Sequence, residues 1–156
     1  MGFHMKPGSN VITLGHALTG LDEIILIPEG DYSLKFIGWR TWMYFGRQPK
    51  VVLDFAVVDM GPYFEVPLQR YYNAQRLIGR KGKNGGFKVG RSSDFLREFA
   101  LVSNRPVRRL DRIPMTEYEN SIIIGRVSTV KKSRNQKEIP ELVQYSVISE
   151  IRGVIR

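Results

Sequence analysis

Flat aromatic rings and cationic side chains alternate in two short stretches of the sequence. The first, WRTWMYFGR, spans residues 39–47, and the second, RYYNAQR, spans residues 70–76. An unpaired polynucleotide offers phosphates to cations and base faces to rings, and each stacked base contributes on the order of 1–3 kcal/mol. Both stretches therefore predict a sequence-tolerant binding site, whose candidate residues are Trp39, Arg40, Trp42, Tyr44, Arg47, Arg70, Tyr71, Tyr72 and Arg76.

Spacing limits how many of these rings can face one partner, because successive side chains of a strand point to opposite faces. Trp39 and Trp42 cannot both face the same side of a regular strand, so at least one is expected to pack inward. Tyr71 and Tyr72 also point opposite ways, and the apolar alternation before them predicts Tyr72 inward and Tyr71 outward. Each ring, taken alone, is as consistent with a structural position as with binding.

Positive charge is concentrated in residues 69–112. This segment holds 12 of the 24 Lys and Arg residues but only three of the 15 Asp and Glu residues. The bases and acids of the two flanking segments cancel when they are taken together, so the segment accounts for the formal net charge of +9. A localised basic strip with aromatic residues in it is typical of a nucleic-acid binder.

A glycine-rich loop, GRKGKNGGFKVGR, occupies residues 79–91 of this strip. It matches neither a Walker phosphate loop nor a dinucleotide-binding fingerprint. We expect a flexible basic flap over a bound strand, because glycines allow close backbone approach and lysines act as mobile charges. A solvated loop is the alternative. The flap adds six residues to the candidate site, namely Arg80, Lys81, Lys83, Phe87, Lys88 and Arg91.

Residues suited to catalysis are scarce. The chain has no cysteine, its only histidines are His4 and His16, and no Ser/His/Asp set is suggested. We therefore expect no enzyme, with no catalytic residue, no metal ligand and no cofactor. One alternative is a mobile-element nuclease or its accessory subunit, which would use Asp54 and Glu65, although the lysine expected after Glu65 is missing. Another alternative is a β-barrel adaptor that docks an acidic protein.

The elements that must position these residues are mostly strands. In the predicted strand at 50–58, the odd-numbered apolar residues are expected inward and Val52, Asp54, Ala56 and Val58 outward. The glycine at position 38 predicts a bend in the long first strand. Strands are expected at 10–14, 23–27, 32–45, 50–58, 63–72, 121–130 and 142–151, and a serine-capped helix at 93–103.

This order predicts a mainly β fold. Residues 28–156 are expected to form a five-stranded OB-fold barrel with one helix between strands three and four. Residues 1–27 would form a short N-terminal arm with extra strands. A β-sandwich with one helix is the alternative.

Several segments carry a family resemblance. IPEGDYSLKFIGW, FGRQPKVVLDFAVVD, LQRYYN, the glycine-rich basic loop and SDFLREFA together resemble small single-stranded DNA-binding proteins of phages and integrative mobile elements, over residues 28–152. The resemblance implies an OB-fold without catalysis and a role in DNA replication or recombination. Matched by position, Arg70, Tyr71 and Tyr72 would contact the strand.

The expected partner is single-stranded DNA. RNA stays open, because the contacts to the 2′-hydroxyl that distinguish the two cannot be read from this sequence. A homo-oligomer also stays open. No apolar run approaches the roughly 20 residues that span a bilayer, so no membrane partner is expected. The absence of cysteine fits the cytoplasm of a bacterial host.

Overall fold

The computed structural model describes residues 10–13, 23–133 and 135–155, and within them the fold is mainly β. In these described ranges, one α-helix and two short 3-10 helices accompany the strands. The strands are β1 (Asn10–Thr13), β2 (Glu23–Leu26), β3 (Gly30–Tyr44), β4 (Gln48–Val57), β5 (Pro67–Asn73), β6 (Arg76–Ile78), β7 (Gly82–Lys83), β8 (Gly86–Lys88), β9 (Ile122–Val130) and β10 (Tyr145–Ile155). The α-helix is α1 (Asp94–Val102), and the 3-10 helices are Met115–Asn120 and Glu141–Val143.

The main sheet is antiparallel and has β3 at its centre. Its order is β10-β9-β3-β4-β5, and β7 adds a further pairing along β3. The first half of β3 pairs with β9, and β4 pairs with β3 from Leu34 to Tyr44. Two-stranded ribbons are formed by β1 with β2 and by β6 with β8.

The predicted bend in the first strand is confirmed. The register between β3 and β4 shifts between Phe36 and Gly38, which leaves Ile37 as the extra residue of a β-bulge. A bulge bends its strand and increases the local twist. The first half of β3 can therefore pair with β9 and the second half with β7. The second half is the part that carries the candidate rings.

The core lies between the inner face of this sheet and α1. Val51, Leu53, Phe55 and Val57 are buried as the alternation of β4 predicts. The serine cap is confirmed, because Ser93 accepts a hydrogen bond from the backbone N–H of Leu96 at 3.2 Å and so satisfies a free donor of the first turn. The apolar stripe of the helix is also confirmed by its buried side chains, which are Phe95, Phe99 and Val102.

Val52 lies on the outer face of β4, as predicted, and is nevertheless buried at 1% exposure. One expectation about the meander is wrong. The third strand begins at Pro67 rather than at residue 63, because the chain turns there and Glu65 adopts a positive φ of 67°. A proline at the first position of an edge strand removes no needed donor, which explains why β5 starts there.

The early β-rich runs form β1 and β2, as predicted, while residues 1–9 and 14–22 of the predicted arm lie outside the described residues. Ile25 and Ile27 belong to the same buried cluster as the main sheet. The N–H of Ile27 donates to Ser146 Oγ at 2.9 Å. This hydrogen bond fixes the approach to β3 against β10.

A closed barrel is not observed in the described part of the chain. The sheet ends at β5 on one side and at β10 on the other, and among the described strands no pairing joins these two edges. The helix α1 packs against both edge strands. The mainly β architecture with one helix between the three-stranded meander and the last two strands is confirmed.

Candidate nucleic-acid interface

One cross-strand row on the outer face of the sheet combines cations with a ring. Lys83 of β7 lies opposite Arg40 of β3, Arg40 lies opposite Val52 of β4, and Val52 lies opposite Tyr71 of β5. Directly opposite residues of an antiparallel pair project from the same face, with Cβ atoms about 4.5–5.5 Å apart. Because Val52 sits between larger neighbours, this register explains its burial on the outer face.

The next row carries the exposed tryptophan. Trp42 lies opposite Lys50, and Lys50 lies opposite Asn73 and donates a hydrogen bond from Nζ to Asn73 Oδ1. Trp42 is 38% exposed, and Lys81 Nζ lies 4.8 Å from its ring centroid. That distance is within the range of a cation–π interaction. The row therefore presents a flat ring between two ammonium groups.

Two phenols, those of Tyr44 and Tyr71, lie near the guanidinium of Arg40, and the phenol of Tyr145 lies near both of them. Burial raises the pKa of Tyr44, and the neighbouring phenol of Tyr145 raises it further while Arg40 lowers it. Burial also raises the pKa of Tyr71, with Tyr44 as the next largest cause. Both phenols therefore stay neutral at physiological pH and present uncharged rings, which do not repel a phosphate backbone.

Arg40 itself is held by a carboxylate. Its Nε donates to Asp54 Oδ2 at 3.2 Å and its Nη2 to Oδ1 at 3.3 Å. Both side chains are about one-third exposed, so the pair fixes the guanidinium without removing it from the surface. We call the whole set the outer ring surface, and it comprises Arg40, Trp42, Tyr44, Lys50, Val52, Asp54, Tyr71, Asn73, Lys81, Lys83 and Tyr145.

Two carried-over site residues face the interior. Arg70 donates from Nε and Nη2 to the two carboxylate oxygens of Glu98, at 3.0 and 2.6 Å. The hydroxyl of Tyr72 donates to Glu98 Oε1 at 2.7 Å, and the Arg70 guanidinium lies 4.3 Å from the Tyr72 ring centroid. Both side chains therefore form hydrogen bonds inside the protein core and do not face a partner on the outer side of the sheet. The predicted inward direction of Tyr72 is confirmed.

Trp39 and Phe87 also face the protein. Phe87 is buried and packs edge-on against Phe95 at 5.3 Å between ring centroids. Trp39 is half-buried, and its indole N–H donates to the carbonyl of Gly85 at 3.0 Å. Of the two tryptophans, Trp39 therefore packs inward and Trp42 faces out, as their spacing predicts.

The glycine-rich loop differs from the expected flap, because it is folded onto the sheet. β7 pairs with β3, and Gly82 N–H donates to Thr41 Oγ1 at 3.2 Å. Gly85 is held so close to Thr41 that a Cβ atom there would overlap the threonine hydroxyl. Because glycine lacks a side chain, the loop backbone can approach β3 of the same protein closely. This packing places Lys81 and Lys83 on the outer ring surface.

Among the described residues, the remaining predicted cations are not linked to this surface by strand pairing or by a ring contact. Arg76 and Lys88 face one another across the β6–β8 ribbon. Arg47, Arg80 and Arg91 are exposed. The structure therefore brings two of the five loop cations to the exposed tryptophan and to Arg40.

Sequence reasoning missed Lys50 and Tyr145. Lys50 could have been found, because it shares the even-numbered, outward alternation of β4 with Val52 and Asp54. Tyr145 could not, since it comes from the start of β10, far from the two ring-bearing stretches, and nothing local shows that it neighbours Tyr71.

Comparisons with known proteins identify no relative of this chain. No protein-family model matches the chain, and neither curated proteins nor solved structures give a match. Within residues 10–13, 23–133 and 135–155, no three His, Asp or Glu side chains form a group that could hold a metal ion. Among the same residues, no helix has the length and apolar character needed to cross a membrane.

Proposed function

We propose that this protein binds single-stranded DNA on the outer ring surface, with little sequence preference. The strand order supports an OB-fold as the class: a three-stranded meander of β3, β4 and β5, then α1, then β9 returning beside β3 and pairing with β10. OB-folds bind oligonucleotides on the face of their central strands, and the outer ring surface lies on the corresponding strands here. A role in replication or recombination of a phage or mobile element is part of this proposal.

The observation that carries the proposal is the exposed ring of Trp42 with Lys81 beside it and Lys50 across from it. A base can stack on the open face of the indole while the two ammonium groups contact the phosphates on either side. Stacking of one base on an aromatic ring is worth about 1–3 kcal/mol and tolerates any base. Low sequence preference follows from that chemistry.

The second row extends the same contact. Lys83 and Arg40 lie side by side, and the half-buried Tyr71 lies beyond Val52. A strand that crosses the sheet would meet cations on β7 and β3 and rings on β3 and β5. Since Asp54 already compensates Arg40, Lys83 is the stronger source of net attraction in this row.

Fluorescence anisotropy with oligo-dT of about 16 nucleotides, the upper end of the usual OB-fold site size, tests the proposal. Trp42→Ala should weaken binding by roughly 5- to 150-fold, the equivalent of one lost stacking contact. Lys83→Ala should weaken binding less and make it less sensitive to salt, because one phosphate contact is lost.

The matched control is Leu142→Ala, which removes an apolar side chain that is 79% exposed and lies outside the outer ring surface. It should bind like the wild type. Equal-length RNA and duplex DNA serve as competitors, and the single-stranded DNA should compete best. Unchanged affinity of Trp42→Ala and Lys83→Ala, with both variants folded, would refute this site.

Intrinsic fluorescence gives an independent reading. The chain has two tryptophans, and the indole N–H of Trp39 is occupied by Gly85. Quenching on binding should therefore come from Trp42 and should be lost in Trp42→Phe, while Trp39→Phe should retain it. Quenching that persists in Trp42→Phe would show that the bases do not stack on Trp42.

A further inference from the structure

Three arginines converge on one surface cavity that the outer ring surface does not include. The cavity follows α1 and has a volume of about 410 Å³, lined by Arg105, Pro106, Arg108, Arg112 and Pro114. This is within the roughly 300–1,000 Å³ of small-ligand sites. The lining residues are thus three arginines and two prolines, with no acid among them.

In the part of the chain that the structure describes, no ion pair compensates the charges of these arginines. In the same segment, Arg109 donates from Nε and Nη2 to the Asp111 carboxylate, at 2.9 Å for each bond. Arg105, Arg108 and Arg112 are exposed, and none of them forms a salt bridge within the described ranges. Within the described ranges, the segment thus pairs one guanidinium with a carboxylate and leaves three exposed guanidinium groups without an ion pair.

A line of backbone contacts joins this cavity to the outer ring surface. Beyond Asn73, the N–H of Gln75 donates to the carbonyl of Lys88 at 2.8 Å. Lys88 pairs with Arg76 across the β6–β8 ribbon. The N–H of Val89 then donates to the carbonyl of Leu110 at 3.1 Å, within the arginine segment. The β6–β8 ribbon, which carries Arg76 and Lys88, therefore lies between the sheet and the cavity.

We propose that the arginine cavity is a second phosphate-binding site, which holds the backbone of the same strand after it leaves the outer ring surface. The inference rests on the function proposed above. Arginine suits this role because its planar fork donates two parallel hydrogen bonds to one phosphate and is weakly hydrated. Pro106 and Pro114 offer apolar surface to the sugar. The bound strand is then longer than the sheet alone can contact.

Oligonucleotide length distinguishes this site from the first. The Arg108→Ala/Arg112→Ala double variant and the wild type are compared on oligo-dT of about 6 and about 30 nucleotides, chosen around the usual OB-fold site size. The variant should bind the short oligonucleotide like the wild type and the long one roughly 10- to 30-fold more weakly at low salt. Its slope of log K against log salt on the long oligonucleotide should be shallower by about 1.4, for two phosphates at about 0.7 each.

Two further variants keep the test specific. Arg126→Ala/Arg152→Ala removes two exposed arginines from β9 and β10, where both approach Asp31, and should bind both lengths like the wild type. Arg108→Lys/Arg112→Lys keeps the charge and removes the fork, so it should recover only part of the long-strand affinity.

Each outcome decides between the two proposals. A double alanine variant that binds the long oligonucleotide like the wild type overturns the second site and leaves the outer ring surface standing. Equal weakening on both lengths also overturns it, because a general loss of positive field would then explain the effect. A wild-type protein that binds neither length refutes the proposed function, and the inference with it.

Discussion

Two tyrosine hydroxyls are fully inside the core, and they differ in their partners. The Tyr72 hydroxyl donates to Glu98 Oε1 at 2.7 Å. The Tyr118 hydroxyl has no hydrogen-bond partner within the described ranges, although its ring packs against Phe36, Phe55 and Phe99. Since an unsatisfied buried hydroxyl costs about 1–3 kcal/mol, these two residues should respond to the same substitution in opposite directions.

Replacing each tyrosine with phenylalanine tests this difference. Tyr118→Phe should raise the free energy of unfolding by about 1 kcal/mol, because the desolvated hydroxyl is removed while the ring contacts stay. Tyr72→Phe should lower it by about 1.5–3 kcal/mol, since a hydrogen bond to a charged acceptor is lost. Urea unfolding of both variants gives the comparison. A loss of stability in Tyr118→Phe would show that its hydroxyl has a partner.

Local alternation was enough to orient the neighbouring ring pairs but not Arg70. Period-two alternation predicts correctly that Tyr72 turns inward and Tyr71 outward, and that at least one tryptophan packs inward, which the structure shows to be Trp39. Arg70 shares the inward face of Tyr72, yet its charge, and the resemblance of LQRYYN to single-stranded DNA-binding proteins, predicted a position on the surface. What holds it inside is a carboxylate 28 residues further along the chain, and no local pattern reveals that partner.

At the scale of elements, one side chain of α1 connects the two edges of the sheet. Glu98 is 1% exposed and accepts hydrogen bonds from Arg70 and Tyr72 of β5. Its Oε1 also accepts the backbone N–H of Ile151 of β10 at 2.9 Å. The carboxylate takes the place of ladder hydrogen bonds that these edges do not make with each other in the described part of the chain.

Removing this carboxylate should separate the edges. Glu98→Ala leaves the Arg70 guanidinium buried without its counter-charge and should lower the free energy of unfolding by about 3–5 kcal/mol. Hydrogen exchange should also rise at the Ile151 amide. Glu119→Ala, at an exposed acid, is the matched control and should change stability by less than about 0.5 kcal/mol. Similar stabilities for the two variants would contradict the role assigned to Glu98.

Elements of ordinary length were predictable, and very short ones were not. The bend at Gly38 and the capped helix follow from local chemistry, and the long strands follow from periodicity over eight or more residues. β6, β7 and β8 are two or three residues long, which is too short for any period to show. The glycine content of the loop therefore predicted a flexible flap. In the structure the loop packs on the sheet instead, with Gly85 against Thr41 of β3.

At the scale of the whole molecule, a count of charges locates the basic segment but not the groups that a partner can reach. Residues 69–112 supply Arg70 to the core, Lys81 and Lys83 to the outer ring surface, and Arg108 with its neighbours to the cavity after α1. The sequence places these cations in one strip, and the fold divides them among an interior ion pair and two surfaces. Only the surface groups can contribute to binding and to its salt dependence.

The buried tyrosines also set how the whole fold responds to alkaline pH. Burial raises the pKa of Tyr72, and the neighbouring phenol of Tyr118 raises it further. Burial likewise raises the pKa of Tyr118, with Glu98 as the next cause. Their ordinary value of 10.0 applies once the chain unfolds, so both phenols hold their protons in the folded state under conditions where the unfolded chain has lost them.

The sign of the effect follows directly. Below about pH 10 both states are protonated and the stability is fully present; above it the unfolded chain binds two protons fewer, so stability falls as pH rises. The slope that these two phenols contribute should approach about 2.7 kcal/mol per pH unit once the pH is well above 10, at about 1.36 kcal/mol for each phenol. Urea unfolding at about pH 9, 10.5 and 11.5 measures it. Tyr118→Phe removes one of the two phenols and should make the slope shallower by about 1.4 kcal/mol per pH unit. Equal slopes for the variant and the wild type would mean that Tyr118 ionises as easily in the folded protein as in the unfolded chain.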